Sequence, residues 1–169
     1  MTRTPESPRE PRESREPRKS RKALLFEATF KFYEANPEAL RRVCDILLKR
    51  AIDDDTRRVL SLRVIEYFLS SYLKKRPDEQ IETSVGTKRA SEIARLYKAH
   101  LKAYSKREFD LFCREGRREI KIGNVTVRSN EPQLNLFYFL QKHNLIHVIT
   151  QKFDEINRVR AESRNEVKA

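Results

Sequence analysis

Residues 90–128 read ASEIARLYKAHLKAYSKREFDLFCREGRREIKIGNVTVR, and the spacing of the apolar residues changes within this stretch. In its first part Ile93, Leu96, Tyr97, His100, Leu101 and Tyr104 recur every three or four residues, the period of one helical face. In its last part Glu119-Ile120-Lys121-Ile122 and Val125-Thr126-Val127-Arg128 alternate apolar with polar, the period of a strand with one buried face. Gly123-Asn124 between them predicts a two-residue hairpin loop. A helix over 90–105 and a hairpin over 119–128 together predict an α+β fold. A lone hairpin is marginal in water, so Ile120, Ile122, Val125 or Val127 must pack on the helices.

Working outward, three helices are predicted upstream. The first, 23–35, has Leu24, Leu25, Ala28 and Phe32 on one side. The second, 37–52, opens at Asn36-Pro37 and carries Leu40, Val43, Cys44, Leu47, Leu48 and Ala51 at helical spacing. The third, 62–75, follows Ser61 and presents Leu62, Ile65, Phe68, Leu69, Tyr72 and Leu73. Residues 76–89 are polar, include Pro77 and Gly86, and predict a loop. Downstream, Glu131-Pro132 open a helix of about ten residues with Leu134, Phe137 and Leu140. Asn144 ends it, and a last helix runs from Leu145 through Ile146, Ile149, Phe153 and Ile156. The expectation is a helix-dominated α+β domain over 23–160, with five or six helices and one hairpin. A polar C-terminal tail, 161–169, is expected to fray.

The first 22 residues, MTRTPESPREPRESREPRKSRK, repeat Pro-Arg-Glu and Ser-Arg-Glu units. Pro5, Pro8, Pro11 and Pro17 oppose a helix, and almost nothing there is apolar, so a disordered mixed-charge tail is expected. It contains no apolar run of the kind a signal peptide needs. Nowhere in the chain is there a run long enough to cross a bilayer, so no membrane partner is expected.

The chain carries a formal charge of +12. Residues 1–22 hold eight basic and four acidic residues, a net of +4, which leaves +8 on the domain. Such an excess suits a polyanionic partner, and it also serves solubility. Cys44 and Cys113 are the only cysteines. Two isolated thiols suit a reducing, intracellular compartment, and their separation in the fold decides whether they could pair.

Groups for chemistry are few. His143 and His147 are four apart, a spacing that can put two ligands on one helical face, but Asn144 interrupts that helix and no third ligand stands nearby. His100 lies in an apolar stripe and reads as a core histidine with its polar atoms satisfied. Asp53, Asp54 and Asp55 lack the alternation and the glycine of a calcium loop, and acidic residues there would stabilise a following helix start. Three glycines leave no phosphate-cradling loop. Neither a metal, a cofactor nor a small-molecule substrate is expected, and no catalytic set is legible.

The cations are more telling. Arg95, Lys98, Lys102 and Lys106 succeed one another at three- or four-residue spacing opposite the apolar stripe. Arg107, Arg114, Arg117 and Arg118 follow, and Arg18, Lys19, Arg21 and Lys22 cluster just before the domain. Phosphate contacts need cations along one surface, and a solvated helix face would carry the same pattern. Nothing in the run reads bases, so binding here would be independent of sequence.

Three blocks, LSLRVIEYFLSSYLKK at 60–75, YKAHLKAYSKREFDLFCR at 97–114 and PQLNLFYFLQKHNLIHVI at 132–149, resemble a family of uncharacterised proteins encoded by nucleocytoplasmic large DNA viruses. The family pattern has proline after the Phe-Asp pair where this chain has Leu111. It has aromatic residues, Phe and Trp, where this chain has Leu136 and Phe139. The chain resembles a divergent member. The resemblance implies a viral protein made in the infected cell, in its cytoplasm or nucleus, with a place in the virion beside the genome. It brings no catalytic residues with it. The function expected is therefore non-enzymatic binding to DNA or RNA backbone. The alternative is a virion structural or assembly factor acting through protein contacts, which would expose an apolar patch of Phe137, Tyr138, Phe139 or Ile146.

Overall fold

A computed structural model describes residues 17–168. The expected tail over 1–22 therefore falls largely on residues 1–16, outside the described residues. Pro17 to Ser20 are exposed and have no regular structure. Arg21 and Lys22 are already helical, because the Ser20 hydroxyl accepts the Ala23 N–H at 3.2 Å and caps the first helix two residues earlier than expected.

Seven helices and two hairpins make up the described residues. They are α1 (Arg21–Ala35), α2 (Pro37–Leu47), α3 (62–75), β1 (Gln80–Thr83), β2 (Gly86–Arg89), α4 (Ala90–Tyr104), β3 (Arg118–Ile122), β4 (Val125–Ser129), α5 (Glu131–Lys142), α6 (Leu145–Gln151) and α7 (Phe153–Lys168). The middle of α3, Phe68–Tyr72, winds as a π-helix. The helix-dominated α+β architecture is as expected, with one more helix and one more hairpin.

The centre of the fold is α5. Gln133, Leu134, Asn135, Leu136, Phe137, Phe139 and Leu140 are all buried, so this helix is enclosed on nearly every side rather than along one stripe. Helices α1 and α6 pack against it, and α2 packs on β4. Hairpin β3–β4 has the expected register, with Ile120 opposite Val127 and Ile122 opposite Val125. Those four side chains share the buried face, and Glu119, Lys121, Thr126 and Arg128 face water. Gly123 sits in the turn at φ +59°, a conformation a side chain disfavours.

Five expectations need correction. The loop over 76–89 contains the hairpin β1–β2, whose one plug is the fully buried Ile81 and whose turn ends at Gly86 with φ +108°. Ile81 and the exposed turn residue Val85 are the only apolar residues over 80–89, and they give no visible alternation. Helix α2 stops at Leu47, and Lys49 at φ +56° turns the chain away, so Ala51 pairs with Val59 in an isolated bridge. The buried face of α1 is Leu25, Thr29 and Tyr33, with Leu24 and Ala28 outside. That face is legible only through its partners. The Thr29 hydroxyl donates to Asn135 Oδ1 at 2.8 Å, and the Tyr33 hydroxyl donates to Gln141 Oε1 at 2.7 Å. The last helix is broken at Lys152 into α6 and α7, which accounts for the seventh helix. Finally, the segment expected to fray from residue 161 continues as α7 to Lys168. There Ser163 is hydrogen-bonded to the Tyr67 hydroxyl at 3.1 Å and donates to Val159 O at 2.9 Å.

Candidate nucleic-acid interface

Helix α4 starts where the Glu92 carboxylate accepts the Arg89 N–H at 3.3 Å. Ile93 is buried, and Leu96, Tyr97, His100, Leu101 and Tyr104 are half-buried against the core. Arg95, Lys98 and Lys102 project from the opposite, exposed face. Seven residues separate the first from the last, about 10 Å along the helix axis. Ser105 at φ +69° ends the helix, so Lys106 is not the fourth member of this row. It stands on the short 3₁₀ turn Lys106–Glu108 beyond it, exposed.

From Phe109 to Arg117 the chain has no regular structure, yet the carbonyls of Leu111, Cys113 and Glu115 are held by side chains from the start of α5. Asn130 Nδ2 donates to Cys113 O at 2.9 Å and to Glu115 O at 3.0 Å. Gln133 Nε2 donates to Leu111 O at 2.7 Å, and the Ser129 hydroxyl donates to Gln133 Oε1 at 2.6 Å. Asn135 Nδ2 donates to Glu108 O at 3.1 Å, just before the segment, and Arg117 Nε donates to Cys113 O at 3.1 Å. Asn130 also caps α5 by accepting the Gln133 N–H at 3.1 Å. Ser129, Asn130, Gln133 and Asn135 are all buried, so each bond replaces water that these groups cannot reach. The start of α5 thus works as a clamp on the segment that carries Arg107, Arg114, Arg117 and Arg118.

This arrangement opens a groove of about 1150 Å³ between the segment and the start of α1, lined by Lys22, Arg107, Arg114, Arg118, Asn130 and Pro132 among others. Arg21 reaches Ala103 O at 3.5 Å, and Lys22 lies 4.0 Å from Glu108, so the two halves of the predicted site meet at the end of α4. All twelve predicted cations are exposed. Three face carboxylates: Lys19 with Glu27 at 2.9 Å, Lys22 with Glu108, and Arg118 with Glu131 at 3.6 Å. Among the described residues Arg95, Lys98, Lys102, Lys106, Arg107 and Arg114 have no carboxylate within 4.0 Å. Arg18 stands in the stretch before α1 and is not joined to the groove by any contact among these.

The sequence predicts both Phe109 and Phe112 as core aromatics folded back on α4; Phe109 is buried, but Phe112 is exposed, and the amide clamp goes unpredicted. Four uncharged polar residues at 129, 130, 133 and 135, between the hairpin and the apolar run from Leu136, were the available signal. Buried amides among such neighbours must bond to something.

The histidines separate. His147 is exposed, and Asn144 at φ +60° turns it away from His143. His143 packs against Phe139 at 4.9 Å and His100 at 6.4 Å, with Nε2 buried and unpartnered. Burial, then the charges of Lys142, His100 and Lys88, push its pKa below the usual histidine value. His100 Nδ1 is 2.9 Å from Leu96 O, the satisfied histidine expected from the stripe. Asp53 is used locally, accepting from the Thr56 hydroxyl at 2.8 Å and the Asp55 N–H at 3.0 Å. Cys44 and Cys113 are unpaired and half-buried, and burial pushes the Cys44 thiol up, away from reactivity. Phe137, Phe139 and Ile146 are buried and Tyr138 half-buried, so the apolar patch expected of an assembly surface does not form from them.

A basic surface on a helix and a clamped segment is the class of site this fold presents. The chain belongs to a family of unknown function, DUF7197, which it matches over residues 14–168, essentially the whole folded region. No curated protein and no solved structure matches it. Among the described residues no helix is long and apolar enough to cross a membrane.

Proposed function

We propose that the protein is a non-enzymatic nucleic-acid-associated protein that binds the backbone of DNA or RNA without reading sequence. The observation that carries this reading is the run of exposed cations with no carboxylate within 4.0 Å among the described residues: Arg95, Lys98 and Lys102 on α4, Lys106 and Arg107 on the 3₁₀ turn, and Arg114 on the clamped segment. Phosphates displace counterions at such cations, whereas surface lysines paired to carboxylates have less to offer them. Burial of Phe137, Phe139 and Ile146 removes the patch on which a protein-assembly reading was to rest, and so supports the nucleic-acid reading further. On the resemblance of the three sequence blocks, the setting is an infected cell, with the protein packaged beside a viral genome.

A salt titration on duplex DNA tests this. With about four to six phosphates neutralised, log affinity falls against log salt with a slope of about −4 to −5. The triple change K98A/K102A/K106A flattens the slope by up to about three and leaves the fold intact, because exposed cations contribute little stability. Absence of binding to either duplex or single strands at low salt would remove the reading and leave the row of cations as a solvated face.

A further inference from the structure

Phe112 is the one large apolar side chain of the clamped segment left in water. Its neighbours Phe109 and Leu111 are 3% and 2% exposed, and Phe112 is 44% exposed. The ring is not on a loose loop. Its own N–H donates to Asp110 Oδ1 at 2.9 Å, the Leu111 carbonyl before it is held by Gln133, and the Cys113 carbonyl after it by Asn130 and Arg117. The backbone that carries the ring is therefore held by groups that are themselves anchored, which reduces the ordering that binding must supply.

Phe112 also lies where three clefts meet. It borders the large groove with Arg107 and Arg114, a cleft of about 440 Å³ with Lys106 and Tyr97, and a cleft of about 640 Å³ with Arg114, Arg117 and Leu48. Acidic groups share these walls, but Glu131 and Glu108 face Arg118 and Lys22, and Asp110 holds the Phe112 N–H. Glu66, Glu115 and Glu119 remain on the rims. An exposed aromatic face set among cations suits a polyanion that also carries flat, unpaired rings. A duplex offers phosphates but keeps its bases stacked inside, while a single strand offers both.

We infer that Phe112 is a stacking platform for single-stranded nucleic acid, with Lys106, Arg107, Arg114 and Arg117 as the phosphate contacts around it. The inference rests on the proposed nucleic-acid function and narrows it: single strands are the favoured ligand, DNA or RNA alike, because every base has a face to stack.

The test is fluorescence anisotropy on the full chain with labelled oligothymidylate and oligouridylate of about 16 nucleotides, the upper site size of single-strand modules, and a duplex of equal length. The wild type binds the single strands more tightly than the duplex at the same salt. F112A weakens single-strand binding about 5- to 150-fold, the range for loss of one stacked base, and leaves duplex binding and melting temperature unchanged. The chain has no Trp, so F112W introduces a single tryptophan that can be excited at wavelengths where the six tyrosines do not absorb. Its emission is quenched by the oligonucleotides and unaffected by polyphosphate, which has the charge without the bases. If F112A melts like the wild type and binds single strands equally well, or if the F112W emission ignores a saturating oligonucleotide, the platform is wrong. Duplex binding with the expected salt slope would then still stand for the general function. If the wild type binds no nucleic acid at low salt, both readings fall, and the Phe112 clefts become candidates for a protein partner.

Discussion

The two halves of the basic surface are held by different physics. On α4 the cations ride on a regular helix whose backbone bonds are internal, and Arg95, Lys98 and Lys102 share a face simply because of their spacing. Past Ser105 there is no such ladder. Arg107, Arg114 and Arg117 are where they are because Asn130, Gln133 and Asn135, well over ten residues further along, reach back and hold the carbonyls between them. The first half is robust to a change in any one neighbour. The second depends on three amides at the start of one central helix.

The largest effect should come from cutting that dependence. Asn130→Ala removes two bonds to loop carbonyls and the cap of α5, and leaves those buried acceptors short of partners. Destabilisation of about 3 kcal/mol is expected, or about 6–12 °C in Tm by thermal melting. Binding through the segment should weaken as well, while the α4 cations keep their contribution to the salt slope. A fall in Tm below about 1 kcal/mol in equivalent stability would mean that the clamp is redundant.

Charge removal sharpens the same comparison. K98A/K102A should lower the magnitude of the duplex salt slope by about two without any effect of F112A superimposed on it. R107A/R114A should lower it by a similar amount and also reduce the discrimination between single strand and duplex. If the two pairs behave alike on both ligands, the surface acts as one undifferentiated patch.

A smaller effect concerns His143, which sits between the core helix and α4. Its folded pKa is depressed by burial and by neighbouring cations, so the unfolded chain binds the proton more readily. The contribution to stability is therefore complete above the ordinary histidine value of about 6.5 and is lost as pH falls through it toward the folded value. Urea melts on either side of that pH should show the loss, and H143Q should flatten it. Smallest of all, R118A breaks a half-exposed pair with Glu131 and should change stability by about 0.5 kcal/mol.

Legibility followed the same division. The period of α4, the Gly123-Asn124 hairpin and the exposure of all twelve cations were readable because each is a local property of spacing or turn chemistry. Lys106 was misplaced by one positive φ at Ser105, which nothing in a serine announces. The β1–β2 hairpin was missed because a single buried Ile81 makes no pattern, and the buried face of α1 was missed because Thr29 and Tyr33 bury polar atoms against Asn135 and Gln141. The helical run of α7 past residue 160 meets α3 through the Ser163–Tyr67 hydrogen bond, a contact between residues far apart in sequence.

By itself, then, the amino-acid sequence determined the α+β class, the central helices, one hairpin and the fact of a basic exterior, since period, capping and charge act over a few residues. Only the tertiary structure decided which cations share a surface, that Arg21 and Lys22 close onto the end of α4, and that a segment without helix or strand is rigid enough to present Phe112. Those outcomes rest on hydrogen bonds between residues far apart in the chain, and a buried amide can choose its partner only once the fold has brought one within 3 Å.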